Sequence, residues 1–142
     1  MSENMGRIAS IAPIVLGILC SMASSAQAQR RVLVRIEADP SKPVYRFIPA
    51  NVTARPGDLL VFRAIRGAPH SITFEAGDLS ESTHEALNGA MGRRTADLSS
   101  PLLTANGAEY RMVVPRVTPG VYQFYCLPHR AYDERGQLRI TK

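Results

Sequence analysis

The sequence has no tryptophan, three histidines and two cysteines. Lysine is nearly absent as well, occurring only as Lys42 and Lys142, so the formal net charge of +5 comes from arginine. Those arginines are scattered rather than run together. That pattern excludes a basic nucleic-acid-binding tract and reads as a solvated surface with a leaning toward an acidic partner. Long apolar runs are missing too. The longest uninterrupted one, Ile11 to Cys20, is ten residues, whereas a membrane-spanning helix needs about 20. A permanent membrane anchor is therefore not expected. There is no internal repeat, no low-complexity tract and no extended helical periodicity.

What is present begins with a leader. Arg7 precedes the apolar run, and "AQA" at Ala26 to Ala28 supplies a small-x-small cleavage pattern. This is the layout of a secretory signal peptide over residues 1-28. It implies an exported, periplasmic or otherwise extracytoplasmic protein, beginning near Gln29. Residues 29-142 then form one domain, large enough to bury about 65% of its unfolded surface around a single core. Cys20 leaves with the leader, so Cys126 stands alone and no internal disulfide can form. A lone thiol in an oxidising compartment is a liability unless it is buried or bound.

The rest of the chain reads as short strands separated by turns. "RRVLVRIEA" alternates, with Val32, Val34 and Ile36 on one side. "YRFIPANVTA" carries Pro49, which suits an edge or a bend. "RPGD" is a turn, and "LLVFRAI" is dense enough in apolar residues for a central strand. "HSITF", "EYRMVV", "GVYQFYC" and "GQLRI" complete the series. The pattern predicts an all-β sandwich. Residues 77 to 106 break the rhythm and are expected to form a flap. Ser82 and Glu85 suggest a capping box for a short helix over "THEALNGAMG" that Asn88-Gly89 would end.

Three side chains carry the chemistry. His70 follows the turn "RGAPH", Cys126 ends a strand whose alternation places Tyr122, Phe124 and Cys126 on one face, and His129 lies in the next loop. Strand ends of a sandwich converge at a pole. Two imidazoles and a thiolate meeting there would form the trigonal His2Cys set of copper electron-transfer sites, although the same donors also suit zinc.

"GDLLVFR", "APHSITF", "GVYQFYCLPH" and the closing "GQLRI" resemble the plastocyanin-like cupredoxins, the small blue-copper proteins. The resemblance runs from about Phe47 to Ile140 and is loosest through the flap. It implies an eight-stranded Greek-key sandwich with one copper per chain at one pole, and it implies His70, Cys126 and His129 as equatorial ligands. The family's axial methionine, five residues after the second histidine, is replaced here by Glu134, and no methionine follows Met112. Glu134 is thus the candidate axial ligand. The other readings make it a solvent-facing loop residue or bring Met91 in from the flap. Ser71 is positioned to hydrogen-bond across to the cysteine loop, Pro128 has no N–H to offer the sulfur, and His84 reads as a surface residue. The resemblance implies a monomeric electron carrier serving redox protein partners, not an enzyme. A red- or green-type copper site with Glu134 bound, in a catalytic or copper-handling role, is the alternative.

Overall fold

The computed structural model describes Met1 and residues 28–142. The expected leader lies outside the described residues apart from its two ends. Among the described residues no helix is long and apolar enough to cross a membrane.

The domain is a sandwich of two four-stranded sheets. One holds β1 (Arg31–Ala38), β2 (Tyr45–Ile48), β4 (Leu59–Ala64) and β6 (Glu109–Val113) in the order β2-β1-β4-β6. The other holds β3 (Asn51–Ala54), β5 (Thr73–Phe74), β7 (Gly120–Tyr125) and β8 (Arg135–Ile140) in the order β3-β8-β7-β5. β1 runs parallel to β4 and β3 parallel to β8; the other pairs are antiparallel. Pro49, after a cis peptide bond, lies where the chain leaves edge strand β2 for edge strand β3 in the opposite sheet. β4 is internal to its sheet, as its apolar density demands.

Alternation does the sorting. Val34 and Ile36 of β1 and Leu60, Phe62 and Ala64 of β4 are fully buried, while Arg31, Arg35 and Arg63 face out. Phe124 of β7 packs edge-on against Phe47 and Phe62 across the gap and against its neighbour Phe74 in the same sheet, with ring centroids 4.9 to 5.9 Å apart. Each ring buried this way is worth about 1.5–3 kcal/mol. The backbone of Gly136 lies directly under the Phe124 ring, and a Cβ there would collide with it. That close approach seats the strand that follows the second histidine.

The flap is ordered, and its helix differs from expectation. Helix α1 spans Glu81–Ala90, and its N-cap is Ser80, whose hydroxyl accepts from the Thr83 amide, rather than Ser82. Asn88-Gly89 does not end it. The Asn88 side chain is occupied elsewhere, donating to Asp97 and accepting from the Leu98 amide, so it pins the following loop instead of capping. The expected strand "HSITF" shrinks to Thr73–Phe74. Residues ahead of it pair irregularly with the flap: the amide and carbonyl of His70 exchange hydrogen bonds with those of Leu103 at 3.1 and 2.7 Å, and the Ser100 amide donates to the Ile72 carbonyl. The flap thereby holds the backbone of the first histidine.

Candidate metal centre

His70 enters the site from the β4–β5 turn. Gly67 in that turn has φ +78°, and a side chain there would run into Ala38. The preceding carbonyl, that of Arg66, lies 2.8 Å from His70 Nε2. A carbonyl only accepts, so Nε2 carries a proton, and when the ring is neutral Nδ1 presents its lone pair to the site. Cys126 follows β7, and its amide donates to the Glu134 carbonyl at 3.0 Å, closing the loop between β7 and β8 at its neck. Ser71 ties the two halves together. Its amide points at Cys126 Sγ at 3.4 Å, and its hydroxyl accepts from the Leu127 amide at 3.0 Å.

Within that loop His129 stacks on Tyr45 of β2, with centroids 3.7 Å apart and planes 12° from parallel. The chain then makes one 3₁₀ turn, Arg130–Tyr132, and Asp133 takes a left-handed φ of 57°. That reversal turns Asp133 out to an exposed pair with Arg135 and brings Glu134 in, where it is fully buried.

Four residues converge. The donor atoms of His70, Cys126, His129 and Glu134 all lie within 4.8 Å of one another, and all four residues are buried. Cys126 Sγ is 3.4 Å from His129 Nδ1 and 3.8 Å from His70 Nδ1. Glu134 Oε2 is 2.8 Å from His129 Nδ1 and 3.4 Å from His70 Nδ1. Metal–nitrogen bonds of about 2.0–2.1 Å and metal–sulfur bonds of about 2.3 Å place nitrogen and sulfur donors on one ion roughly 3.6–3.8 Å apart, close to what is seen. Glu134 Oε1 is buried without a hydrogen-bond partner, a costly arrangement unless a positive charge sits nearby. Burial, and then the Glu134 charge, push the Cys126 thiol up to about 12. Burial acts to lower the His70 pKa, but hydrogen bonds to Glu134 and to the Arg66 carbonyl outweigh it, so the net shift is upward. Two acidic groups and two imidazoles in one dry pocket fit a divalent or redox-active cation far better than they fit one another.

His84 lies outside this group, partly exposed, and pairs with Asp97 at 2.7 Å. Met91 is the buried C-cap of α1, and its carbonyl accepts from Tyr110. Tyr45 is the site residue that sequence reasoning missed. It sits in an unremarkable edge strand, and only the three-dimensional pairing brings it to His129. The Arg66 carbonyl and the Leu103 backbone were equally invisible, since a backbone group leaves no side-chain signature.

Known proteins resemble the chain in sequence and in fold. The profile of copper binding proteins of the plastocyanin/azurin family matches residues 34–141. Plastocyanin of Prochlorothrix hollandica is 26% identical over 140 residues, spanning 99% of this chain and 95% of its own. The chloroplastic plastocyanin of Pisum sativum is 24% identical over 133 residues, spanning 94% of this chain and 74% of its own. Among solved structures, a mutant fern plastocyanin superposes with a TM-score of 0.60 at 23% identity, covering 78% of this chain and all of that one. A purple cupredoxin from Nitrosopumilus maritimus reaches 0.51 at 18% identity, covering 78% and 99%. These two structural likenesses speak to the fold, whereas the profile covers most of the chain and both sides of the donor cluster. The chain belongs to the plastocyanin/azurin family of copper-binding proteins, with copper as its cofactor and electron carriage as its general role.

Proposed function

We propose that this chain is an exported, monomeric electron carrier whose domain spans 29-142, with His70, Cys126, His129 and Glu134 holding one copper and no enzymatic step of its own. The observation that carries the reading is the four-donor cluster, buried and closed within 4.8 Å. Copper, when bound, supplies a one-electron couple between Cu(I) and Cu(II). The protein's part is to hold the donors still. His70 is fixed by the Arg66 carbonyl and the Leu103 backbone, Cys126 by the Ser71 and Glu134 backbones, and His129 by the face of Tyr45. Donors clamped by backbone groups do not rearrange between oxidation states, which keeps exchange fast. His129 is the most exposed of the four, at 8%, and gives a partner its nearest approach. The leader pattern at residues 1-28 supports export, and the arginine excess supports acidic redox protein partners.

A second reading has a specific observation behind it. Glu134 is fully buried, and its Oε2 reaches both imidazoles. A hard carboxylate favours Cu(II) and would give a tetragonal, red or green site suited to a catalytic or copper-handling role. The absorption and electron spin resonance spectra of copper-loaded protein separate the two. An intense thiolate band with narrow copper hyperfine splitting, lost in Cys126→Ser, is expected of the carrier. Wide splitting favours the second reading, and a Cys126→Ser protein that keeps the wild-type spectrum would overturn both.

A further inference from the structure

The outer face of the β1–β4–β6 layer is not an ordinary mixed surface. Three rows cross it: Arg31, Leu59 and Val113; Leu33, Val61 and Arg111; Arg35, Arg63 and Glu109. Arg31, Arg35, Arg63 and Arg111 are each about half exposed. Between them stand Leu33 and Val113, exposed at 41% and 47%. Val61 also points outward yet is fully buried, so long side chains lie across it. Glu109, only 17% exposed, accepts from Arg111 at 2.6 Å and lies 3.3 and 3.7 Å from Arg31 and Arg63. One carboxylate thus gathers three guanidiniums over an apolar patch. A shallow groove lined by Gly92, Arg93, Glu109, Tyr110 and Arg111 continues the face past β6, an edge strand of its sheet, and adds a further arginine. The outer face of the other sheet is different. Its rows read Asn51, Gln137 and Gln123, then Thr53, Arg139 and Val121, and finally Arg135, Tyr125 and Thr73, where Arg135 pairs with Asp133 and Glu75. The gathering of three guanidiniums on one carboxylate beside exposed Leu33 and Val113 belongs to the first face.

We propose that this face is a docking surface for a carboxylate-rich protein, distinct from the donor cluster. Guanidinium forks match carboxylates bidentately, and arginine around an apolar centre is the composition of protein interfaces. The acidic residues embedded in the face, Glu109 and Glu37, argue against an anionic membrane, and Leu33 and Val113 belong to paired strands rather than to a loop. Three strands of five to eight residues, at about 4.8 Å between strands and 3.3 Å per residue, give a footprint of only a few hundred Å². That belongs with the small, transient contacts of redox encounters. Among the described residues the face arginines pair with Glu109 and Glu37 and with no donor residue. The proposal stands independently of which residues bind copper.

The test uses the copper-loaded protein with poly-L-glutamate as probe at low ionic strength. The triple variant R31Q/R35Q/R111Q is compared with R55Q/R116Q/R139Q, which removes the same charge elsewhere. The first should lose at least tenfold in affinity and the second less than threefold. Equal losses would mean net charge alone and overturn the proposal. Amide shifts of the labelled wild-type protein give a readout that needs no variant. Shifts over Arg31–Arg35, Val61–Arg63 and Glu109–Val113 support it, while shifts confined to Leu127–Tyr132 overturn it. Binding to phosphatidylserine vesicles without binding to poly-L-glutamate would reassign the face to a membrane and also overturn it.

Discussion

Replacing Glu134 probes the feature in which this chain departs from its family. Its Oε2 lies 2.8 and 3.4 Å from the two donor nitrogens, so a cation held by these donors would have the carboxylate charge within roughly 3 Å. At an effective dielectric near 20, unit charges about 3 Å apart interact by about 5–6 kcal/mol. One-electron reduction removes one unit of positive charge, and the carboxylate favours the oxidised form by at most that amount. With about 59 mV per tenfold change in a one-electron equilibrium, the ceiling is about 230 mV. Glu134→Gln removes the charge and keeps a hard oxygen. Glu134→Met also supplies a soft thioether that favours Cu(I). The potentials should therefore rise in the order wild type, Gln, Met, with about 60–230 mV between wild type and Gln from the charge alone and a further rise to Met from the soft donor. Spectroelectrochemical titration of the three proteins at neutral pH reads this directly. If all three lie within about 30 mV, the carboxylate does not act on the metal, and its burial has another cause.

Other consequences can be measured more simply. With the Cys126 thiol pushed up to about 12, the metal-free protein keeps it protonated at neutral pH, and copper uptake must release that proton. Affinity should fall about tenfold per unit as pH drops through the neutral range, read by chelator competition, and a pH-independent affinity would refute the assignment. Gly67→Ala places a side chain at φ +78° against Ala38 and should cost about 2 kcal/mol or more in urea unfolding of the metal-free domain. The Arg30 side chain bonded to Asp58 holds that carboxyl below its ordinary 3.8. Its stabilisation is present above that value and lost as pH falls through the lower folded one. Asp58→Asn should then cost about 1.5–3 kcal/mol at pH 7, a gap that closes in strong acid. His84→Ala should leave copper content and spectrum unchanged, since that ring pairs with Asp97 at the surface.

The strands were legible because their cause is local. Val34 and Ile36, or Leu60 and Phe62, announce a buried face by spacing alone. Cys126 and His129 were legible for the same reason, three residues apart at a strand end. The flap was not. Its order comes from backbone groups of Leu98, Ser100 and Leu103 pairing with Phe74, Ile72 and His70, and backbone pairing carries no residue-type signal. The helix cap was misplaced by two residues because Ser80 and Ser82 are equally good caps in isolation. Asn88 was read as a terminator, yet its amide is used for tertiary contacts with Asp97 and Leu98. The Tyr45–His129 stack joins positions on opposite sides of the chain and could not be seen from either alone.

Glu134 shows where local reading ends and geometry begins. "RAYDER" offers two adjacent carboxylates, and polarity alone sends both to solvent. In the fold only one goes there. The 3₁₀ turn after His129 brings Asp133 to φ 57°, a left-handed conformation that aspartate tolerates better than most residues with a side chain. With the turn completed there, the Glu134 carbonyl accepts from the Cys126 amide, and its side chain has no exit to water. The inward carboxylate is therefore set by the residue before it. Exchanging Asp133 for valine, which tolerates that conformation poorly, should therefore draw Glu134 out of the pocket with all four donor residues still in the sequence, and an Asp133→Val protein whose reduction potential and spectrum match those of the unaltered domain would refute this.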